Sequence, residues 1–574
     1  MSHSAAETDS AETDGPAQQR GSGTTAGGGM NLADVWEAVA RTVPDAPALV
    51  HGPLVRSWAE FESRAASLAA HLGAHGVGHD DKLACYLYNG PEYLEATFAA
   101  FKARAVPINV NYRYLDAELT YLLDNADARA VVFDVEFAER LERVRPSLPQ
   151  ATVWVCVGSD AEHPCPDWAA PYEDVIATTA PAAPIERSGD DLWFLYTGGT
   201  TGMPKGVMWP QANLLQTAAA TFAVVKHPVP SSADDVVAAV QAFHERGRAV
   251  RLLPAAPLMH GTSAITAVAV LSAGGTVVTL TERSFDADEL CEAVQAHRVT
   301  QLTIVGDAFA KPIVAALRRA RDAGRPYDMS SLKVIVSSGV MWSAPAKEEL
   351  LEFCSATLVD TLGSSEGVGF ASSIARKGER APTARFSLGE HARVFTEAGD
   401  EVAPGSGERG LLAVGGPIPI GYYKDPDKTA GTFRTFAGRV WSVPGDWATV
   451  EPDGTIQLLG RGSVCINTAG EKVYPEEVEE VLKLHDAVLD CNVVGLPDEK
   501  WGQSVTAVVS LVDGLDDADR PDAAALIAHT KEHLAGYKCP KRVVLTDSIQ
   551  RGPNGKPDYR WAAEVATASG STGA

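Results

Sequence analysis

The residues best suited to chemistry sit together between Leu195 and Val207, in the run YTGGTTGMPKG. Glycine lets backbone N–H groups turn toward an anion, the hydroxyls of Thr197, Thr200 and Thr201 add donors, and Lys205 adds charge. A polyphosphate is the guest such a donor set suits. A Walker A loop needs Gly-Lys followed by Ser or Thr. Here Pro204 precedes Lys205 and Gly206 follows it, which disfavours a P-loop kinase or ATPase. Other candidates are weaker alone. His260 is of a type more often simply packed, Glu366 in a Gly/Ser turn would be a surface carboxylate, and Lys556 would be a solvated charge near the C-terminus.

Taken in order, these segments resemble the adenylate-forming (ANL) superfamily of acyl-CoA synthetases, peptide-synthetase adenylation domains and luciferases. YTGGTTGMPKG is similar to its signature phosphate loop, which would place Thr197, Gly198, Gly199, Thr200, Thr201, Gly202 and Lys205 around ATP. APLMHGTS (256–263) would set His260 at the mouth of the acyl pocket. VSSGV (336–340) would run Ser338 and Gly339 along the adenine and the acyl carbonyl. DTLGSSEG (360–367) is similar to the YGxTE motif, with Gly363, Ser364 and Ser365 at the nucleotide and Glu366 as a magnesium ligand beside Thr200. PGDW (444–447) and LLGRGS (458–463) would bring Asp446 to the ribose hydroxyls and Arg461 to the ribose or phosphates. AGEKVYPEEVE (469–479) would carry Gly470 and Lys472 toward a coenzyme A tunnel. RGPNGKPDYR (551–560) is similar to the PxxxGK segment, with Lys556 as its catalytic lysine.

The chain departs from the pattern at several positions. Gly198 stands where Ser is usual, Leu362 where an aromatic residue stacks on adenine, Pro444 where Thr is usual, and Ser463 and Asn467 at hinge positions that commonly hold Asp or Lys. The resemblance implies two half-reactions with Mg2+ as cofactor and ATP and coenzyme A as co-substrates. A carboxylic acid becomes an acyl-adenylate, and coenzyme A then takes the acyl group. ATP's phosphates need a hard cation held by one or two carboxylates, and attack on the α-phosphorus needs donors aimed at developing charge. GGTTGMPKGVMW, IVGDAFAKP and GRGSVCINTAGEKVYPEEVE, with the long stretch 210–255, are similar to actinobacterial synthetases acting on fatty acids and steroid side-chain acids. A hydrophobic carboxylic acid is therefore the expected substrate. Two alternatives are a ligase loading a carrier protein in trans and a non-catalytic nucleotide- or acyl-binding protein.

The elements that must position these residues alternate short apolar runs with amphipathic ones. KLACYLY (82–88) reads as a strand and PEYLEATFAAFKARA (91–105) as a helix, and the alternation recurs at VPINVN, VTQLTIVG and LKVIVSSG. Such alternation predicts α/β architecture with parallel helix-covered sheets, and the resemblance implies two of them in a large N-terminal domain. After about residue 390 a Gly/Pro-rich texture, with the hairpin signal Asp453-Gly454, predicts a small antiparallel β-region. From about 464 the alternation returns on a smaller scale, predicting a compact α+β C-terminal domain, which the resemblance implies to be mobile. The expected division is a disordered extension 1–29, an AMP-binding domain 30–461, a hinge 462–465, a C-terminal lid 466–565 and a disordered tail 566–574.

At 574 residues at least two domains are expected. A net charge of −25 argues against a nucleic-acid or anionic-membrane surface, while leaving room for a locally positive pocket. The eight cysteines include no CxxC pair, so scattered reduced thiols and a cytoplasmic location are expected. Ala264–Leu280 is broken by Gly274-Gly275, so it reads as helix, turn and strand rather than a membrane span. A homodimer is compatible with the sequence.

Overall fold

The computed structural model describes residues 29–569 except 198–202, 340–341, 380–384, 462–464, 469–470, 499–501, 517–519, 535 and 552–555. Residues 1–28 of the expected extension 1–29 and 570–574 of the expected tail 566–574 lie outside the described residues, as does most of the expected hinge 462–465. Helix Tyr559–Ala568 runs into the expected tail, with Ala566 buried, so that tail starts later than expected.

Three sheets organise the chain. The first has eight strands, with Val106–Asn109, Lys82–Tyr86, Ala128–Asp134 and Val153–Val157 running parallel at its centre. These strands are apolar along nearly their whole length, as a sheet covered on both faces requires. At one side the sheet turns antiparallel. Leu192–Thr197 pairs with Lys205–Pro210, which pairs in turn with Gly421–Tyr422. The phosphate-loop residues are thus the connection of a hairpin, with Thr197 paired to Lys205. A Walker A loop would open into a helix and use that helix's dipole. Here the flanking segments on both sides are strands, and residues 198–202 between them lie outside the described residues.

The second sheet has fifteen strands. Apart from an edge hairpin of Pro47–His51 with Leu54–Ser57, its first half is parallel and ends with Gln301–Ile304, Val334–Ser338 and Thr357–Ser364. A tight turn after Ser364 then reverses the chain into Gly367–Ala375, and the strands beyond are antiparallel. The expected small β-region is therefore not a separate unit but a continuation of one of the two parallel sheets. It begins at Gly367, earlier than the change of texture near residue 390, because GVGFASSIA is as apolar as a parallel strand and only its partners reveal its direction. Asp453-Gly454 does turn the hairpin between Asp446–Val450 and Thr455–Arg461, with Gly454 at φ +81°.

The third sheet has five strands and belongs to the C-terminal part of the chain. Gly502–Leu511 pairs with Val488–Asp498 on one side and in parallel with Arg542–Thr546 on the other. Helices Pro475–Lys483 and Ala523–His533 cover it around a core that includes Val478, Leu482, Cys491, Val505 and Leu526. Among the described residues, no helix is long and apolar enough to cross a membrane. Ala264–Leu280 is split as expected, between helix Gly261–Ser272 and strand Thr276–Thr279.

Candidate active site

Parallel strands deliver their following loops to one edge of a sheet, where ligands of α/β folds commonly bind. Ser338 pairs with Thr361, so Ser338-Gly339 and Leu362-Gly363 leave the fifteen-stranded sheet side by side. Two hydrogen bonds fix this edge. Thr361 Oγ1 donates to Ser337 O at 3.0 Å, and Gly306 N donates to Ser337 Oγ at 2.9 Å. Gly339 takes φ +97°, a left-handed value that a side chain would strain, and this lets the chain turn across the edge.

Above this edge lies a cavity of about 230 Å³. Gly339, Leu362, Gly363 and Asp446 line one wall, and Glu476, Glu480, Arg551 and Lys556 line the other. Segments more than 200 residues apart in sequence therefore meet at one volume. Asp446 opens its strand directly opposite Arg461 in the antiparallel register. Leu362, in the place expected of an aromatic residue, does line the cavity.

His260 is the N-cap of helix Gly261–Ser272 but does not cap it through its side chain. Among the described residues its Nε2 is buried without a hydrogen-bond partner, an arrangement native proteins rarely keep unless a ligand or water completes it. Burial, then the Lys556 ammonium and the Arg113 guanidinium, push the imidazole down to about 4. It is therefore neutral near pH 7, and the charge of Lys556 is felt at its ring.

A second network ties the two large sheets together. Tyr422 OH donates to Glu366 Oε1 at 2.6 Å, and Trp209 Nε1 donates to Ser365 O at 2.9 Å. Glu366 N donates to Ser364 Oγ at 3.2 Å. Lys205 Nζ pairs with Asp425 Oδ2 at 2.6 Å. The Lys205 hydrogen bond, with the Lys428 backbone N–H next, holds the Asp425 carboxyl below its usual range. Both partners are partly exposed, with side chains at 39% and 28%, so the pair contributes on the order of 1 kcal/mol or less.

The structure thus brings Gly339, Gly363, Asp446 and Lys556 to one cavity, and it couples His260 to that cavity electrostatically. It sets Ser364, Ser365, Glu366 and Lys205 in the adjoining network. Gly198, Gly199, Thr200, Thr201, Gly202, Gly470 and Ser463 lie outside the described residues. Arg461 and Lys472 are placed by backbone pairing alone, Lys472 opposite Asn467. Sequence reasoning missed Trp209, Tyr422 and Asp425. The only signal was the unassigned run GYYKD (421–425). It also missed the acids Asp307, Asp360, Glu476 and Glu480 that line the cavity. Lys347 pairs with buried Asp360 at 2.9 Å, which limits the rise that burial imposes on that carboxyl.

Residues 36–423 match the family model of the AMP-binding enzyme, and residues 477–556 match that of the AMP-binding enzyme C-terminal domain. The chain belongs to the AMP-binding enzyme family. Within this family it is 39% identical over 540 residues to a medium/long-chain-fatty-acid–CoA/3-oxocholest-4-en-26-oate–CoA ligase of Mycolicibacterium smegmatis, covering 93% of this chain and 96% of the relative. It is also 39% identical to a 3-oxocholest-4-en-26-oate–CoA ligase of Rhodococcus rhodochrous, at 93% and 96% coverage. The fold matches that of an anthranilate CoA ligase in complex with anthranoyl-AMP, with a TM-score of 0.79 at 20% identity, covering 94% and 98% of the two chains. ATP-bound MatB from Rhodopseudomonas palustris gives a TM-score of 0.75 at 24% identity, covering 93% and 99%.

Proposed function

We propose that the protein is an AMP-forming acyl-CoA synthetase that activates a hydrophobic carboxylic acid with ATP and transfers the acyl group to coenzyme A. The observation that carries this reading is Lys556. It comes from the C-terminal part of the chain yet lines the same cavity as Gly339, Gly363 and Asp446 of the large N-terminal part. In the first half-reaction a carboxylate oxygen attacks the α-phosphorus, and pyrophosphate leaves. The two reactants repel, and an ammonium placed between them offsets that repulsion where charge develops. Asp446 suits the ribose hydroxyls, and Lys205, released from Asp425, suits the β- and γ-phosphates.

Glu366 fits a hard cation. It offers a carboxylate already oriented by Tyr422, and Mg2+ binds through one or two carboxylates plus substrate phosphates. Thr200 completes the protein's share in this reading. When bound, Mg2+ would neutralise phosphate charge. Neutral His260 stands at the entrance to the acyl site, where an imidazolium would pair with the incoming carboxylate and hold it short of the phosphorus.

In the second half-reaction the thiol of coenzyme A attacks the acyl carbonyl and AMP leaves. The C-terminal domain (466–565) turns on the AMP-binding domain (30–461) about 462–465. This removes Lys556 and brings Gly470 and Lys472 to the pantetheine path. The acid is a medium-to-long fatty acid or a steroid side-chain acid. The relatives' names support this class. So does helix Gly261–Ser272, GTSAITAVAVLS, which follows His260 without a single charged residue. Cytoplasmic location and a homodimer complete the reading, and light scattering would test the latter.

The deciding experiment incubates the purified chain with ATP, magnesium, coenzyme A and a panel of fatty, aromatic and steroid side-chain acids, read by mass spectrometry. A hydrophobic acyl-CoA product is expected. Acyl-adenylate without thioester would point to a carrier-protein acceptor, and neither product would overturn the assignment.

A further inference from the structure

In the C-terminal part, helix Ala523–His533 ends in His529-Thr-Lys-Glu532-His533. Positions i, i+3 and i+4 share one helical face, so His529, Glu532 and His533 project together. One ligand atom from each lies within 4.8 Å of the other two.

The hydrogen bonds fix which ring atoms are available. His529 Nε2 lies 2.9 Å from Val481 O, and His533 Nδ1 lies 3.0 Å from His529 O. A carbonyl only accepts, so each of these nitrogens carries the proton, and the lone pair of each neutral ring is left on the other nitrogen. Metal-bound histidines show this same arrangement, with one ring nitrogen donating to a carbonyl or carboxylate and the other ligating. His485, whose ring centroid is 5.1 Å from that of His529, is arranged oppositely. Its Nδ1 accepts from Ala487 N at 3.2 Å, so its other nitrogen bears the proton and is no ligand. The protein's share is thereby set at two imidazoles and one carboxylate.

We infer that His529, Glu532 and His533 form a binding site for a borderline divalent transition metal such as Zn2+, separate from the nucleotide cavity. Two imidazoles and a carboxylate match the donor set of three-ligand zinc sites that keep a fourth position for water. They select against Mg2+ and Ca2+, which prefer all-oxygen shells. Tetrahedral bonds of about 2.0–2.2 Å place ligand atoms roughly 3.3–3.6 Å apart, within reach of rotamer adjustment by exposed Glu532 and His533. His529 also anchors the helix to Pro475–Lys483 through Val481, so a bound metal would brace the pair of helices that covers the third sheet.

The test uses the full chain without ATP or a histidine tag, titrated with Zn2+ by calorimetry and with Co2+ by visible absorption. One ion per chain is expected, with the intense d–d bands of low-coordinate Co2+ and a raised thermal midpoint. His533→Ala and Glu532→Gln should each weaken Zn2+ binding at least about tenfold while leaving acyl-CoA formation and the circular dichroism spectrum unchanged. Absence of binding, or binding unaltered in both variants (which would assign it to the thiols), overturns the site.

Discussion

At the scale of single residues, the site is held by pairs whose partners are far apart in the chain. Lys556→Ala is expected to lower adenylate formation by about 10²–10³-fold, the usual loss for a preorganised charge-stabilising group. It should spare acyl transfer from a synthetic acyl-adenylate to coenzyme A, and equal loss of both half-reactions would exclude the proposed role. Tyr422→Phe removes the hydrogen bond to Glu366. It should raise the magnesium concentration needed for pyrophosphate exchange by about 10–100-fold, the usual effect of losing a group that orients a metal ligand. An unchanged magnesium dependence would leave Tyr422 as packing alone. Glu366 and Lys556 were legible in the sequence because each sits in a short run of distinctive neighbours. Tyr422 was not, since its partner lies 56 residues away on another sheet and no local pattern signals the pairing.

At the scale of elements, the last turn of strand Thr455–Arg461 shows how backbone geometry constrains the cavity. Gly460 takes φ +112°, and a Cβ there would collide with the carboxylate of Glu476. Gly460→Ala therefore combines backbone strain of about 1–3 kcal/mol with displacement of the Glu476 carboxylate, which lines the cavity from the C-terminal part. Pyrophosphate exchange is expected to fall about tenfold with a lowered thermal midpoint, by ordinary free-energy conversion. A variant with unaltered exchange would show that the contact does not govern the closed arrangement. The strand–helix alternation of the parallel halves was legible because apolar runs and amphipathic stretches differ in period. The direction of Gly367–Ala375 was not, because hydrophobic pattern says nothing of which neighbour a strand pairs with.

At the scale of the whole molecule, proton uptake links the two large parts. Burial, then the nearby Glu477 charge, raise the Glu480 carboxyl from 4.5 to about 7, with the Lys347 charge opposing the rise. If the C-terminal part swings away, Glu480 returns toward its ordinary value. The sign follows from linkage. Its contribution to closure is complete below about pH 4.5 and is lost as pH rises through about 7, at up to about 1.4 kcal/mol per pH unit. Protection of helix Pro475–Lys483 from hydrogen exchange, and fluorescence transfer between labels on the two parts, should therefore fall between pH 5 and 8. Glu480→Gln should flatten that dependence, and a wild-type profile already flat would remove Glu480 from the closure equilibrium. Glu479 is raised to about 7 as well, but Val493 N holds it at 2.8 Å within the C-terminal part, so it does not report on closure.

The sequence by itself determined the chemistry on offer. A glycine- and threonine-rich loop with one lysine, a Gly/Ser turn with one carboxylate and a C-terminal lysine segment are local patterns, and local patterns survive being read in one dimension. It also determined the α/β class, through periodicity. Only the tertiary structure decided that the phosphate loop closes a hairpin rather than opening a helix, and that Tyr422 serves Glu366. It alone also showed that Lys205 pairs with Asp425, and that carboxylates from two parts of the chain line one cavity. Those facts depend on which segments become neighbours. Burial and pairing between distant segments set that choice, and they set the protonation of His260 and Glu480 with it.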